Sequence, residues 1–165
     1  TAHTTHANGG STIAFHYTAS EEITSRIDES ESGVISINGM TFGKNKILWS
    51  GAMYMQESHT VALSEAISTQ TNGIVLVFSR YSSGSAKDYN WSTHFLPKEM
   101  VSKYNGGGQI FMMTSDGSFD TFAAKYLYIR DTTIAGHANN TKTGTGTCGI
   151  TYTNNAYVLR YVIGV

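Results

Sequence analysis

A single cysteine, Cys148, and a single proline, Pro97, stand in a chain of 165 residues. A lone thiol can form neither an intrachain disulfide nor a cysteine-based metal cage, so the fold must rest on packing. No Cys-x-x-Cys spacing surrounds Cys148. Flanked by Thr147 and Gly149 at the head of a strand, it reads as a small half-buried residue rather than a redox or catalytic group. Charge is also scarce: charged residues make up 14% of the chain and the formal net charge is -1. Lys and Arg form no cluster, which argues against nucleic acid, or a membrane surface, as a partner recognised by bulk charge. No apolar run approaches the roughly 20 residues that span a bilayer as a helix, and nothing resembles a signal peptide. A 3.6-residue hydrophobic period is missing throughout, so helices are not expected. The chain opens on Thr1 rather than Met, which leads us to expect a piece cut from a longer polypeptide, as a C-terminal domain would be.

What the sequence does have is period two, punctuated by Gly and Asn. "GVISING" alternates Val34, Ser36 and Asn38 against Ile35 and Ile37. "KILWSGAMYMQ" sets Ile47, Trp49, Gly51, Met53 and Met55 against Leu48, Ser50, Ala52 and Tyr54. After an Asn72-Gly73 turn, "IVLVFSRY" is the β-branched run of a central strand covered on both faces. "SSGSAK" then reads as the tip of a hairpin whose returning arm carries Tyr89, Trp91, Thr93 and Phe95 on one face and ends at Pro97. "QIFMMTSDGSFD" and "AAKYLYIRDTTIAG" are further strands, the first with an Asp116-Gly117 turn. "EEITSRIDESES", Glu21 to Ser32, reads as a solvated loop. These elements predict an all-β fold: an antiparallel β-sandwich of about eight to ten strands, jelly-roll-like in architecture.

The last segment, "CGITYTNNAYVLRYVIGV", predicts a strand over 150–153 that turns at Asn154-Asn155 into a strand over 157–165. Val158, Leu159, Tyr161, Val162, Ile163 and Val165 are too apolar to fray into water. They are expected in the middle of a sheet or in a subunit interface.

The ordered phrases "ILWSGAMYM", "TVALSEAISTQTNGIVLVFSRYSSGSAKDYNWSTHFLPKEMV" and "KYLYIRDTTIAGHANNTKTGTGTCGITYTNNAYVLRYVIGV" resemble the C-terminal domain of fibre-like structural proteins of Gram-positive phages and prophages, found at the tail tip or on the head surface. The resemblance covers 46–165; residues 1–45 match nothing comparable and read as a shaft junction with the first strands. Cys148 stands where that family has a small hydroxyl residue, which weighs against a role for its thiol. The resemblance implies a homotrimeric fibre head on the virion. It would attach to host cell-wall polysaccharide or teichoic acid and join other virion proteins through its N-terminal side. A purely structural or decorative trimerisation domain is the alternative it implies. No cofactor is expected.

Two stretches carry candidate ligand contacts. In the hairpin, Tyr81, Asp88, Tyr89, Trp91 and His94 supply flat rings for sugar C–H faces and groups that bond hydroxyls. Trp91 and Phe95 share an alternation face, and for them core packing is the leading expectation, ahead of trimer contact and then of ligand contact. In "GHANNTK", His137, Asn139 and Asn140 offer the donors and acceptors that hold polyols, while a polar turn accounts for the same residues. His3 and His6, spaced by three, would bind a metal only with ligands from neighbouring chains, and no metal site is expected. Met53, Met55, Met112 and Met113 read as core or interface. Catalysis finds little support. "NGGGQ" precedes a strand rather than a helix, so it cannot cradle phosphate on a helix N-terminus. The acidic pairs Asp116 with Asp120, and Asp28 with Glu29 and Glu31, are better explained by turns and solubility than by a depolymerase dyad.

Overall fold

The computed structural model describes residues 2–5, 11–14, 27–29, 35–37, 40–42, 45–114 and 121–165, with side chains from residue 45 onward. Five short N-terminal strands come first: β1 (Ala2–Thr5), β2 (Ser11–Ala14), β3 (Ile27–Glu29), β4 (Ile35–Ile37) and β5 (Met40–Phe42). Among the described residues they pair with one another, β1 with β2, and β3 with β4 with β5. β3 replaces the expected loop at Ile27–Glu29, and the rest of the Glu21 to Ser32 segment lies outside the described residues. Ile27 stands opposite Ile37 there, and Glu29 opposite Ile35. The alternation of Ile35 and Ile37 in β4 gave that segment a partner.

The remaining strands are β6 (Lys46–Met53), β7 (Thr60–Ala62), β8 (Gly73–Ser82), β9 (Ser85–Ala86), β10 (Ser92–Pro97), β11 (Gly108–Thr114), β12 (Thr121–Ile129), β13 (Thr133–Ala135), β14 (Thr143–Thr145), β15 (Thr151–Thr153) and β16 (Tyr157–Gly164). They form two sheets of an all-β, sandwich-like fold. The first sheet has the order β10-β8-β16-β6, with β9 folded back on the end of β8, and every pairing in it is antiparallel. In the second, β11 lies along β12, whose other edge meets β15 and β13; β14 extends from β15 and β7 from β13.

Burial follows the period-two pattern where a strand has one wet face. In β12, Ala123, Lys125, Leu127 and Ile129 point inward, and the residues between them are half-buried. Central β8 is different: Ile74, Leu76 and Phe78 enter the core, while Val77 and Ser79 are buried on the opposite face. The two sheets meet through Leu76, Phe78, Leu159 and Val162 on one side and Phe111, Met113, Leu127 and Ile134 on the other. The Phe78 and Phe111 rings lie 6.3 Å apart across this core.

Two short elements escape the period-two reading. Helix α1 (Lys98–Lys103) begins directly after Pro97, has Glu99 in its first turn and buries only Val101. Six residues are too few to display a helical period. The 3-10 turn at Ile67–Thr69 is tied to the second sheet by Asp131, whose carboxylate accepts from the Ser68 N–H and the Ser68 hydroxyl at 2.8 and 2.9 Å.

The C-terminal expectation holds for position and fails for partner. β16 is central, between β8 and β6, and Val165 exchanges backbone hydrogen bonds with Gly73. β15, however, pairs with β14 and β12 in the other sheet, so the chain crosses between sheets at Asn154–Ala156 instead of closing a hairpin. The Asn154 side chain anchors the crossing. It is buried, with its Oδ1 accepting from the Ala124 N–H at 2.8 Å and its Nδ2 donating to the Asn139 carbonyl at 2.9 Å.

Candidate functional site

The hairpin tip forms at Ser83 and Gly84, both with positive φ (50° and 76°), the geometry that suits the twist of two antiparallel strands. Between β9 and β10 the chain bulges out as Lys87 to Trp91, with Asn90 also left-handed at φ 52°. Asn tolerates that conformation because its short polar side chain bonds locally. The bulge carries Asp88, Tyr89 and Trp91, and Arg160 of β16 holds Asp88 and Trp91 at the outer face of the first sheet.

The guanidinium of Arg160 donates to the Asp88 carboxylate at 3.1 Å, to the Ser79 hydroxyl at 3.0 Å and to the Gly51 carbonyl at 3.2 Å. It lies 5.3 Å from the centre of the Trp91 ring and 5.9 Å from that of Tyr161. The Trp91 and Tyr161 rings are nearly parallel, 27° apart, with centroids separated by 6.3 Å. Arg160 is largely sequestered while the Asp88 side chain is 81% exposed, so the carboxylate is oriented from below and open above. Trp91 is 45% exposed and Tyr89 is 51% exposed. The result is a shallow platform: a fixed indole, a second ring, a carboxylate and a cation that holds them together. Sequence reading missed Arg160 and Tyr161, because only the β8–β16 pairing brings them beside a loop 70 positions earlier.

The other hairpin candidates lie elsewhere. The Tyr81 ring packs on Tyr54 with centroids 4.6 Å apart. Burial, followed by the hydrogen bond to Tyr81, pushes the Tyr54 hydroxyl up to about 12. His94 turns inward, edge-on to Phe78 and Phe111, with its Nε2 3.0 Å from the Ser92 hydroxyl. It is therefore part of the packing, and burial lowers its pKa. The unfolded state then binds the His94 proton more readily, so His94 costs stability as pH falls below about 6.5. We expect His94→Leu to change stability by less than about 1 kcal/mol at pH 7.5 and to shallow the loss in urea midpoint between pH 6.5 and 5. An unchanged acid slope would exclude His94 as its source.

Phe95 and Trp91 do not pack in the core. Phe95 is 54% exposed and begins a row that crosses the outer face of the first sheet, from Phe95 to Val75, Ile163 and Ile47 in register. Ile47 and Leu48 point to opposite faces as expected, but it is Leu48 that enters the core and Ile47 that stays 56% exposed.

In "GHANNTK" the structure separates the three candidates. His137 is an N-cap: its Nδ1 accepts from the Asn139 N–H at 3.1 Å, and its ring packs 4.7 Å from Tyr126. The Asn139 side chain is exposed at the rim of a cleft. Asn140 is 1% exposed and belongs to the fold, which corrects its assignment as a ligand contact. Its side-chain amide replaces a strand. Along one edge of β12, Phe122 pairs with β15 and Tyr128 with β13. Between them Ala124 donates its N–H to Asn154, and Tyr126 donates its N–H to Asn140 Oδ1 (2.7 Å) and accepts from Nδ2 (2.8 Å).

The same Nδ2 also donates to the carbonyl of Met55, a fully buried residue with φ 57°. Gly136 presses against this point: a Cβ there would sit 2.0 Å from the Met55 oxygen. The ammonium of Lys125 donates to the carbonyls of Tyr54 (3.0 Å) and Asn140 (2.9 Å) and lies 5.6 Å from the Tyr54 ring centre.

Of the methionines, Met55 and Met113 are core, Met53 is packed against it and Met112 is exposed. The side chains of His3, His6, Asp28, Glu29, Glu31, Asp116 and Asp120 lie outside the described residues. Among the described residues no three His, Cys, Asp or Glu side chains converge. No family model matches the chain, and no curated protein or solved structure matches it.

Proposed function

We propose that this domain is an attachment module, the receptor-binding head of a phage fibre, that binds host cell-wall saccharide on the Trp91 platform. The observation that carries the reading is the joint placement of an exposed indole and an open carboxylate by Arg160. A sugar ring stacks its C–H face on Trp91 while Asp88 accepts its hydroxyl hydrogens, and Tyr89 stands beside them in the same loop. Arg160 neutralises Asp88 in place, so little side-chain freedom is lost on binding. The resemblance of 46–165 to Gram-positive phage fibre heads supports the virion setting and a homotrimer. Three shallow sites per assembly would gain from avidity.

A structural or decorative head-fibre domain is the second reading. The apolar row Phe95–Val75–Ile163–Ile47, exposed at its two ends and half-buried between, favours it, since such a row gains from being covered by another copy.

Both readings are separated by labelled-domain pull-down on intact Gram-positive cells and on purified cell-wall polysaccharide, with light scattering for the oligomeric state. Trp91→Ala is expected to weaken saccharide binding about tenfold, the worth of a strong aromatic contact, while the unfolding midpoint stays within error. A folded trimer that binds neither cells nor glycan would favour the structural reading. Unchanged binding in Trp91→Ala would refute the platform.

A further inference from the structure

The outer face of the second sheet is hollowed into a cleft of about 620 Å³, a size typical of small-molecule sites. Its floor comes from two register pairs: Met112 of β11 beside Ala124 of β12, and Phe122 of β12 beside Tyr152 of β15. Its wall is the turn 146–150, closed by the Gly146 N–H on the Ile150 carbonyl (2.8 Å) and the Gly149 N–H on the Gly146 carbonyl (2.9 Å). That turn holds Ile150, 49% exposed, over the cleft.

Among the described residues Lys142 is the one charged side chain that lines the cleft, no carboxylate lines it, and the Lys142 ammonium has no ion-pair partner. The Asn154 amide is already committed to Ala124 and Asn139, which leaves the Asn139 side chain and the Tyr152 hydroxyl as the neutral polar groups of the lining. A sugar would leave most of its hydroxyls unpaired against so apolar a surface, which is costly. An apolar chain carrying one negative charge suits both the lining and the rim. We propose that this cleft binds a single free medium-chain acyl anion, with its chain against Met112, Phe122 and Ile150 and its carboxylate at Lys142. The site is separate from the Trp91 platform and does not depend on the saccharide reading.

The experiment is isothermal titration of the full chain with laurate, below its critical micelle concentration, against dodecanol and phosphatidylglycerol vesicles. Saturable one-to-one laurate binding is expected. Lys142→Gln should weaken laurate about fivefold, as for a partly exposed ion pair, and leave dodecanol unchanged. Ile150→Asp alters an exposed side chain, so the fold persists, and it should weaken laurate more than tenfold by placing a carboxylate in the chain's path. Absence of saturable laurate binding would overturn the proposal, as would wild-type affinity in either variant. Vesicle binding without laurate binding would overturn it in favour of a lipid surface. Self-association that laurate does not reverse would overturn it in favour of a second copy of this chain.

Discussion

Replacing Asn140 with Ala is expected to cost about 4 kcal/mol, because three backbone groups lose a hydrogen bond and the two on Tyr126, which face no strand on that side, are left unpaired at about 1–3 kcal/mol each. The groups are the Tyr126 N–H, the Tyr126 carbonyl and the Met55 carbonyl. The loss is larger than an ordinary polar deletion because it occurs at a gap in a sheet. On this edge β12 has no neighbouring strand at Tyr126, and the Asn140 amide supplies the donor and acceptor that a strand would have offered. Met55 compounds it. Its left-handed backbone is held from one side by the Asn140 amide and from another by the His137 N–H on its carbonyl (3.0 Å). Urea unfolding followed by circular dichroism measures the effect. Thr141→Ala, one position along, loses a single long contact to the Ala138 carbonyl (3.4 Å) and should shift stability by less than about 0.5 kcal/mol. Equal effects at the two positions would show that Asn140 does not stand in for a strand.

The second large effect is a dependence on pH set by Lys125. Its side chain is fully buried, and burial lowers its pKa from the usual lysine value to about 7. No described carboxylate pairs with it. Tyr54, the ring that faces it, stays neutral because its own pKa is pushed up to about 12, and Tyr81 lies behind that ring. Between pH 7 and the ordinary lysine range the unfolded chain therefore binds more protons than the folded one, so stability rises with pH across that window. The full span is on the order of 4 kcal/mol at about 1.4 kcal/mol per pKa unit, with the two carbonyl acceptors and the Tyr54 face reducing it. We expect the urea midpoint to climb from pH 6.5 to pH 9.5, and Lys125→Met to flatten that climb. At pH 7 the substitution removes a costly charge but orphans the Tyr54 and Asn140 carbonyls, so its net effect there is smaller than its effect on the slope. A variant with the wild-type slope would mean that Lys125 keeps its proton in the folded state throughout.

Gly136 and the two buried asparagines explain why the "GHANNTK" and "TNNA" stretches read as polar turns. In sequence, Asn beside Gly signals a turn, and both stretches do turn. Nothing local distinguishes an Asn exposed at a rim, such as Asn139, from one inserted into a sheet edge, such as Asn140. The partner, β12, lies 14 residues away and is defined only once the sheet has formed. The same applies to Lys125. It occupies an inward position in an alternating strand, but reading "AAKYLYI" as a strand did not single it out, and its acceptors come from Tyr54 and Asn140.

The candidate platform divides in the same way. Local geometry made the Ser83-Gly84 tip and the exposed loop after it readable, so Asp88, Tyr89 and Trp91 were recognisable as candidates. Arg160 and Tyr161, which orient them, were hidden inside what looked like a purely apolar C-terminal strand.

By itself the sequence determined the all-β class, most strand positions from residue 46 onward and the burial of the C-terminal strand, because each follows from side-chain alternation, apolar content and turn residues that act over a few positions. Only the tertiary structure decided which sheet each strand joins, that β15 and β16 part company, and which side chains gather around Arg160, Asn140 and Lys125. Those outcomes depend on pairings between distant segments. The free energy of such pairings comes from shared burial and from satisfying backbone groups across a gap, and neither quantity exists until both partners are in place.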